Sequence, residues 1–252
     1  MYNPITQRRK ETKMLKEICK RSKRFLAKTK VGEFPTYILD PSTLTASEKE
    51  VVFNAVYLVG VNAFIQNTSK EMEQDIYEHL FGEDFLYITF SNDIEWRGYH
   101  GESKAIAFLG FRDILIENKN MLYISGICVD PSYQGYGLGT YLMKEAHKRG
   151  SYQAMSLRTQ NPVMKQAFDK LVGGFSYPNG SKIPEDIQKI GQFLAQTFGA
   201  KKYQEEKMFC KNAYGSSLYG IAINSKNDQR YNQKFDELNR DAGDAMFCVK
   251  HC

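Results

Sequence analysis

The sequence predicts an α/β fold with a mixed, twisted sheet flanked by helices, on three observations. Apolar segments of strand length alternate with segments of helical periodicity along most of the chain. An apolar strand over 122–129 runs into a glycine-punctuated turn and then a helix. A second strand-to-helix passage leads from Ala154–Thr159 into NPVMKQAFDKLVGGF, opening at Asn161.

The chain begins with a basic stretch. Residues 1–30 hold eleven Lys or Arg against Glu11 and Glu17, a local charge of +9, while the remainder carries −4. Met14, Leu15, Ile18, Cys19, Phe25 and Leu26 recur at helical spacing, which predicts a basic amphipathic helix within an N-terminal extension over 1–33. Three roles are open to it: packing on the domain with a solvated outer face, which we favour; contact with an anionic partner such as an acidic protein or nucleic acid; or lying on a membrane surface.

Phe34–Leu39 reads as a short strand. Thr45 with Glu48, and Thr68 with Glu71, have capping-box spacing ahead of two helices, one through the apolar run to Ile65 and one ending near Phe81. Phe85–Phe90 and Ala105–Phe111 read as strands joined across a polar stretch carrying Asp93, Glu95, Trp96, Gly98, His100 and Gly101. A turn near Glu117–Asn120 then pairs the third strand with the fourth. Leu122–Val129, rich in β-branched and aromatic residues, is the central strand, and Pro131 ends it. The helix after it runs to about Arg149, followed by the Ala154–Thr159 strand and the Asn161 helix.

Beyond 175 the patterns are local. Pro178, Asn179 and Gly180 make a turn; Pro184 sits at the first turn of a helix running to about Phe198, and Gly199 stops it. Ala213–Gly220 is aromatic and glycine-rich, either a structural loop or a lid near an acceptor site. Gly243–Val249 is apolar enough for a last strand, so that 176–252 forms a C-terminal extension of helix, loop and final strand completing the sheet.

At 252 residues and 42% hydrophobic, the chain can bury a sizeable core. No apolar run reaches membrane-spanning length, since Val51–Ile65 is interrupted by Asn54, Gly60 and Asn62. The N-terminus lacks the apolar stretch of a signal peptide. The five cysteines (Cys19, Cys128, Cys210, Cys248, Cys252) are odd in number and scattered, so a reducing, cytoplasmic setting is expected. Cys248, His251 and Cys252 lack a second ligand cluster, and no metal is expected.

The turn after the central strand carries the chemistry. Gly135, Gly137 and Gly139 can take backbone angles that turn several N–H groups toward one point, and the helix opening at Leu138 directs its positive end there. Such a turn suits a phosphate. It is not a P-loop, because no Gly-Lys-Ser or Gly-Lys-Thr occurs, and it is not a dinucleotide turn, because Gly137 is followed at the third place by Thr140.

Val129 five residues before Gln134, then Gly137 and Gly139, with Asn161 opening the helix after the next strand, resembles the Gcn5-related N-acetyltransferase (GNAT) superfamily over about 34–175. The resemblance implies a GNAT acyltransferase fold, acetyl-CoA as cosubstrate and no metal. It implies cofactor contacts from Ile127, Cys128, Val129, Gln134, Gly135, Tyr136, Gly137, Leu138, Gly139 and Thr140, with Asn161 and Phe168 against the pantetheine arm. That arm would pair with the main chain of Ile127 and Val129 like an added strand, and an N–H near Val129 would face the thioester oxygen.

Acyl transfer to an amine needs a neutral nucleophile, and an amine with pKa near 10 is only about one part in a thousand neutral at pH 7, roughly 4 kcal/mol. The resembled family often places a Glu or His six residues before the Val129 position. Here that residue is Tyr123, with Ser125 two residues on along the same face. A phenol is a poor base, so Tyr123 is assigned to hold a water and the base to a carboxylate elsewhere, such as Glu95 or Asp113. The family's tyrosine acid, seven residues after the asparagine, is replaced by Phe168, leaving Tyr177, Tyr214 or Tyr219 as substitutes or the thiolate to leave unaided. The expected activity is transfer of acetyl from acetyl-CoA to a primary amine of a small molecule or protein. Asp93, Glu95, Glu102 and Asp113 favour a cationic acceptor. The alternative is a CoA-binding sensor or interaction module of the same fold without catalysis.

Overall fold

The computed structural model of the chain describes residues 4–64, 68–92, 103–200, 202–219, 223–225 and 228–252. Two compact units divide it: Met1–Arg112 with Ser125–Leu142, and Asp113–Ile124 with Met143–Cys252.

The first unit opens on α1 (Pro4–Arg21), β1 (Lys23–Thr29) and β2 (Gly32–Leu39). It continues through α2 (Ala46–Ala63), α3 (Lys70–Phe81), β3 (Phe85–Phe90) and the first part of β4 (Ala105–Ile116). The end of β5 (Lys119–Val129) and the start of α4 (Leu138–His147) complete it. Strand order is β1-β2-β3-β4-β5, and the first three pairs are antiparallel.

The tail differs from the helical expectation after Arg21. Phe25 and Leu26 lie in β1, paired with Thr36 and Pro35 of β2, and not on a helix. From Phe25 the inward positions fall at period two, Phe25 and Ala27, and the partner strand beside them supplies the backbone hydrogen bonds a helix would have made internally. The helical part does pack on the domain: Ile18 and Cys19 are buried, α1 lies against α2, and Arg21 pairs with Glu48 at 2.8 Å.

Helix starts follow local chemistry. Thr45 and Glu48 make the expected reciprocal capping box. For α3 the cap moves one residue from expectation, to Ser69, whose hydroxyl accepts from the Met72 N–H.

In the second unit, β4 turns into β5 through Glu117 and Asn118, at φ +46° and +66°, the turn expected near Glu117–Asn120. Then come β6 (Ala154–Thr159), α5 (Pro162–Leu171), α6 (Glu185–Thr197), β7 (Lys202–Gln204), β8 (Phe209–Lys211), α7 (Gln229–Asp236) and β9 (Ala245–His251). Strand order is β4-β5-β6-β9-β8-β7. β5 and β6 run parallel from Met121↔Ala154 to Ile124↔Leu157, while β6 and β9 run antiparallel. The last strand therefore enters the sheet, but inside it, because β8 pairs with its other edge. The β7–β8 hairpin and α7 have no counterpart in the sequence reading. Met121, Tyr123, Ile187, Leu194, Phe247 and Val249 share one core cluster.

The fold is α/β with mixed strand pairing. Among the described residues, no helix is long and apolar enough to cross a membrane.

Candidate functional site

The turn after β5 is built from local contacts. Asp130 starts it: its carboxylate accepts from the Ser132 N–H at 3.0 Å and from Lys104 Nζ at 2.9 Å, over a short 3-10 turn at Pro131–Tyr133. Burial acts to raise the Asp130 carboxyl, but Lys104 and Ser132 outweigh it and hold the group below the usual carboxylate range. Gln134 then folds back, its Nε2 donating to the Val129 carbonyl at 2.9 Å.

Gly135 and Gly137 follow at φ +81° and +90°, a region that residues with a Cβ disfavour, with no atom within 4 Å of where a Cβ would stand. Both are exposed, as are Gln134 and Tyr136, so this stretch of backbone faces solvent. Gly139 serves packing instead: a Cβ there would lie 3.3 Å from the Ile127 side chain and 3.6 Å from that of Val129. Leu138 is buried and anchors the first turn of α4, and Thr140 is half-buried. The N-terminal hairpin braces the turn, with the Lys30 N–H donating to the Tyr136 carbonyl at 3.3 Å and the Tyr141 hydroxyl donating to the Leu26 carbonyl at 3.4 Å.

Earlier in β5, Ser125 gathers a polar cluster. Its hydroxyl lies 2.7 Å from Glu83 Oε1 and 2.9 Å from His79 Nδ1. Arg112 grips Glu83 at 2.9 and 3.4 Å, and His79 Nε2 faces Asp75 Oδ1 at 3.5 Å. Two glycines let α3 come this close: a Cβ on Gly110 would stand 2.3 Å from the His79 carbonyl oxygen, and one on Gly126 would stand 3.0 Å from the His79 ring. Burial, and then the Asp75 carboxylate, push the Cys128 thiol up, so it stays protonated.

Of the residues named for catalysis, Ser125 is the one inside this cluster. Tyr123 is buried in the second unit, stacked on Phe198 at a centroid distance of 4.3 Å. Glu95 lies outside the described residues, with the rest of 93–102. Asp113 accepts from the Tyr152 hydroxyl at 2.6 Å. His79, Glu83, Asp75 and Arg112 escaped the sequence reading. The signal available was Asp75 and His79 at i, i+4 on one helix, beside the buried positions Met72, Ile76 and Leu80.

In the second unit, Asn161 caps α5: its Oδ1 accepts from the Val163 N–H at 2.8 Å and its Nδ2 donates to the Tyr219 hydroxyl at 3.3 Å. Phe168 is fully buried on the same helix. The Ala213–Tyr219 loop is tied to the end of β6, with the Tyr214 hydroxyl on the Arg158 carbonyl and the Leu218 N–H on Gln160 Oε1. Among the described residues, no three His, Cys, Asp or Glu side chains are placed to hold a metal ion.

A family model described as the acetyltransferase (GNAT) family matches residues 64–167. No curated protein sequence matches the chain. Among solved structures, the chain is similar to a histone acetyltransferase HPA2 and related acetyltransferase from Corynebacterium glutamicum, at 13% identity and TM-score 0.37, over 59% of this chain and 88% of that one. It is also similar to an aminoglycoside acetyltransferase from an uncultured soil metagenomic sample, solved with sisomicin, at 13% identity and TM-score 0.37, over 60% of this chain and 91% of that one. A third is a GNAT family acetyltransferase from Brucella melitensis in complex with acetyl-CoA, at 14% identity and TM-score 0.30, over 48% and 74%.

Proposed function

We propose, from the match of residues 64–167 to the acetyltransferase (GNAT) family model, that the protein transfers an acetyl group from acetyl-CoA to a primary amine. The observation that carries the reading is the turn: Gly135 and Gly137 in the left-handed region, open to solvent, ahead of the α4 N-terminus. Its backbone N–H groups and the positive end of α4 would hold the cofactor's pyrophosphate. Ile127, Cys128 and Val129 would lie along the pantetheine arm through their main chain, with Gln134, Tyr136, Leu138, Gly139 and Thr140 shaping the cradle.

Transfer then needs the amine nitrogen neutral and close to the thioester carbonyl. Nitrogen attack forms the tetrahedral intermediate, an N–H near Val129 stabilises its oxygen, and the thiolate departs. The protonated, buried Cys128 thiol makes a poor nucleophile, which supports direct attack by the amine over an acyl-cysteine.

The test is release of free thiol from acetyl-CoA across a panel of amines, alongside calorimetric titration with coenzyme A. Amine-dependent thiol release with saturable binding is expected. Binding without turnover on any amine would reassign the chain to a coenzyme A-binding module, and absence of binding would sink the turn as a cradle.

A further inference from the structure

Pyrophosphate binding does not account for the cluster on Ser125. A serine hydroxyl has one hydrogen, yet Ser125 Oγ makes two short contacts, to Glu83 and to His79 Nδ1. A neutral imidazole with its hydrogen on Nδ1 donates to Ser125, which donates to Glu83, but turns its Nε2 lone pair on Asp75. With the hydrogen on Nε2, facing Asp75, Ser125 donates to Nδ1 and Glu83 keeps the two donors of Arg112. With an imidazolium, Nδ1–H serves Ser125, Ser125 serves Glu83, and Nε2–H faces Asp75, so one added proton is taken up with every contact kept. Asp75 Oδ2, buried and without a hydrogen-bond partner among the described residues, adds a carboxylate lone pair beside the ring. Arg112 donates to Glu83 through Nε and Nη2. Among the described residues, the charged or titratable groups around His79 include Asp75 on its own helix, Glu83 after it and Arg112 on β4, with the protonated Cys128 on β5.

We propose that this cluster takes the proton that the acceptor ammonium must lose, with Ser125 touching the amine and His79 receiving the proton behind it. The proposal rests on the acetyltransferase reading above. Ser125 stands two residues before Ile127, at the start of the segment assigned to the thioester end of the cofactor. The ammonium N–H bond breaks as its proton moves to Ser125 Oγ, and the original Ser125 proton moves to His79 Nδ1. The freed nitrogen pair attacks the thioester carbon. The C–S bond then breaks, coenzyme A leaves as thiolate, and the imidazolium returns its proton to solvent or thiolate, closing the balance.

The experiment uses the full chain, acetyl-CoA, and two acceptors of similar shape: benzylamine, an ammonium at neutral pH, and aniline, whose nitrogen is already neutral. His79→Gln and Ser125→Ala should each lower the benzylamine-to-aniline turnover ratio by about 100-fold, the scale of general base assistance. At saturating benzylamine the wild-type pH profile should carry a limb that His79→Gln lacks, with no such change for aniline. Equal slowing of both amines in the variants, with the benzylamine pH profile unchanged in His79→Gln, would mean a structural role and overturn the relay alone. An acetyl ester on Ser125, seen by intact mass after acetyl-CoA is added without amine, would overturn it in favour of a nucleophilic serine. A wild-type protein that binds coenzyme A and turns over neither acceptor, nor any amine of the wider panel, removes the acetyltransferase reading and the relay with it.

Discussion

The side chain of Gln134 turns back on its own strand and donates to the carbonyl of Val129 at 2.9 Å. The 129–134 segment is thereby closed into a fixed loop, and the two glycines that follow are presented at φ +81° and +90°. Replacing Gly137 by Glu forces a left-handed backbone on a residue with a Cβ, at a cost of about 1–2 kcal/mol, and places a carboxylate in the proposed phosphate cradle. The space around the missing Cβ is open, so the domain should stay folded. Coenzyme A affinity should drop by at least about tenfold, the equivalent of 1.4 kcal/mol, in a calorimetric titration. Unchanged affinity in a folded variant would remove the turn from the binding site.

Asp130 should make the turn acid-sensitive. Its pKa is held down in the folded protein, so its contribution to stability is fully present above the unfolded carboxylate value, about 3.9, and is lost as pH falls through the lower folded value. Asp130→Asn should therefore lower the melting temperature at pH 7, and the gap to wild type should close as pH falls below about 4. A gap that stays constant through that acid range would assign the effect to packing and not to charge.

Deleting residues 1–30 should act on both stability and binding. Ile18 and Cys19 lose their burial, at about 1.5–3 kcal/mol for a large apolar side chain such as Ile18, and β2 becomes an edge. Removing the Lys30 and Leu26 contacts to Tyr136 and Tyr141 also unbraces the turn. A lower melting temperature and weaker coenzyme A binding are expected together. If the exposed basic face of α1 additionally meets an anionic partner, salt-sensitive binding to nucleic acid should disappear in the same truncation. An unchanged melting temperature would contradict the packing of α1.

Lys165 is fully buried, its Nζ bonded to Ser176 Oγ at 2.7 Å and to the Ser176 carbonyl at 3.0 Å, with Asp169 at 3.4 Å. Asp169 also accepts from the Ser176 N–H and the Tyr231 hydroxyl. Lys165→Met strands the carboxylate in the interior and should destabilise the protein by about 3–5 kcal/mol in urea unfolding. The pair of changes Lys165→Met and Asp169→Leu should cost less than the single one, because no charge is left behind. A double variant no better than the single would point to packing as the dominant loss.

Much of the glycine turn after β5 was legible in the sequence because its determinants are local. The Val129 to Gln134 spacing, the glycines at 135 and 137 and the helix at 138 lie within ten residues, and backbone sterics act at that range. The strands at 85–90 and 154–159 and the cap at Thr45 were readable for the same reason: each rests on a short apolar run or a three-residue hydrogen bond. Phe25 and Leu26 were misplaced because a short apolar pattern fits a helix or a strand equally, and pairing with β2 chose the strand. The final strand was recognisable by composition, but its place between β6 and β8 depends on which edges remain to be paired, which composition does not encode. The polar cluster is the strongest case of tertiary decision. His79 and Glu83 meet Ser125 across 46 and 42 residues of chain, and Arg112 reaches Glu83 across 29, so only the docking of α3 over Gly110 and Gly126 brings their charges into one place. Residue types and spacing along the chain determined the backbone of the turn. The packing of α3 on the strands decided which polar side chains meet, because hydrogen bonds form over about 3 Å of space regardless of their distance in sequence.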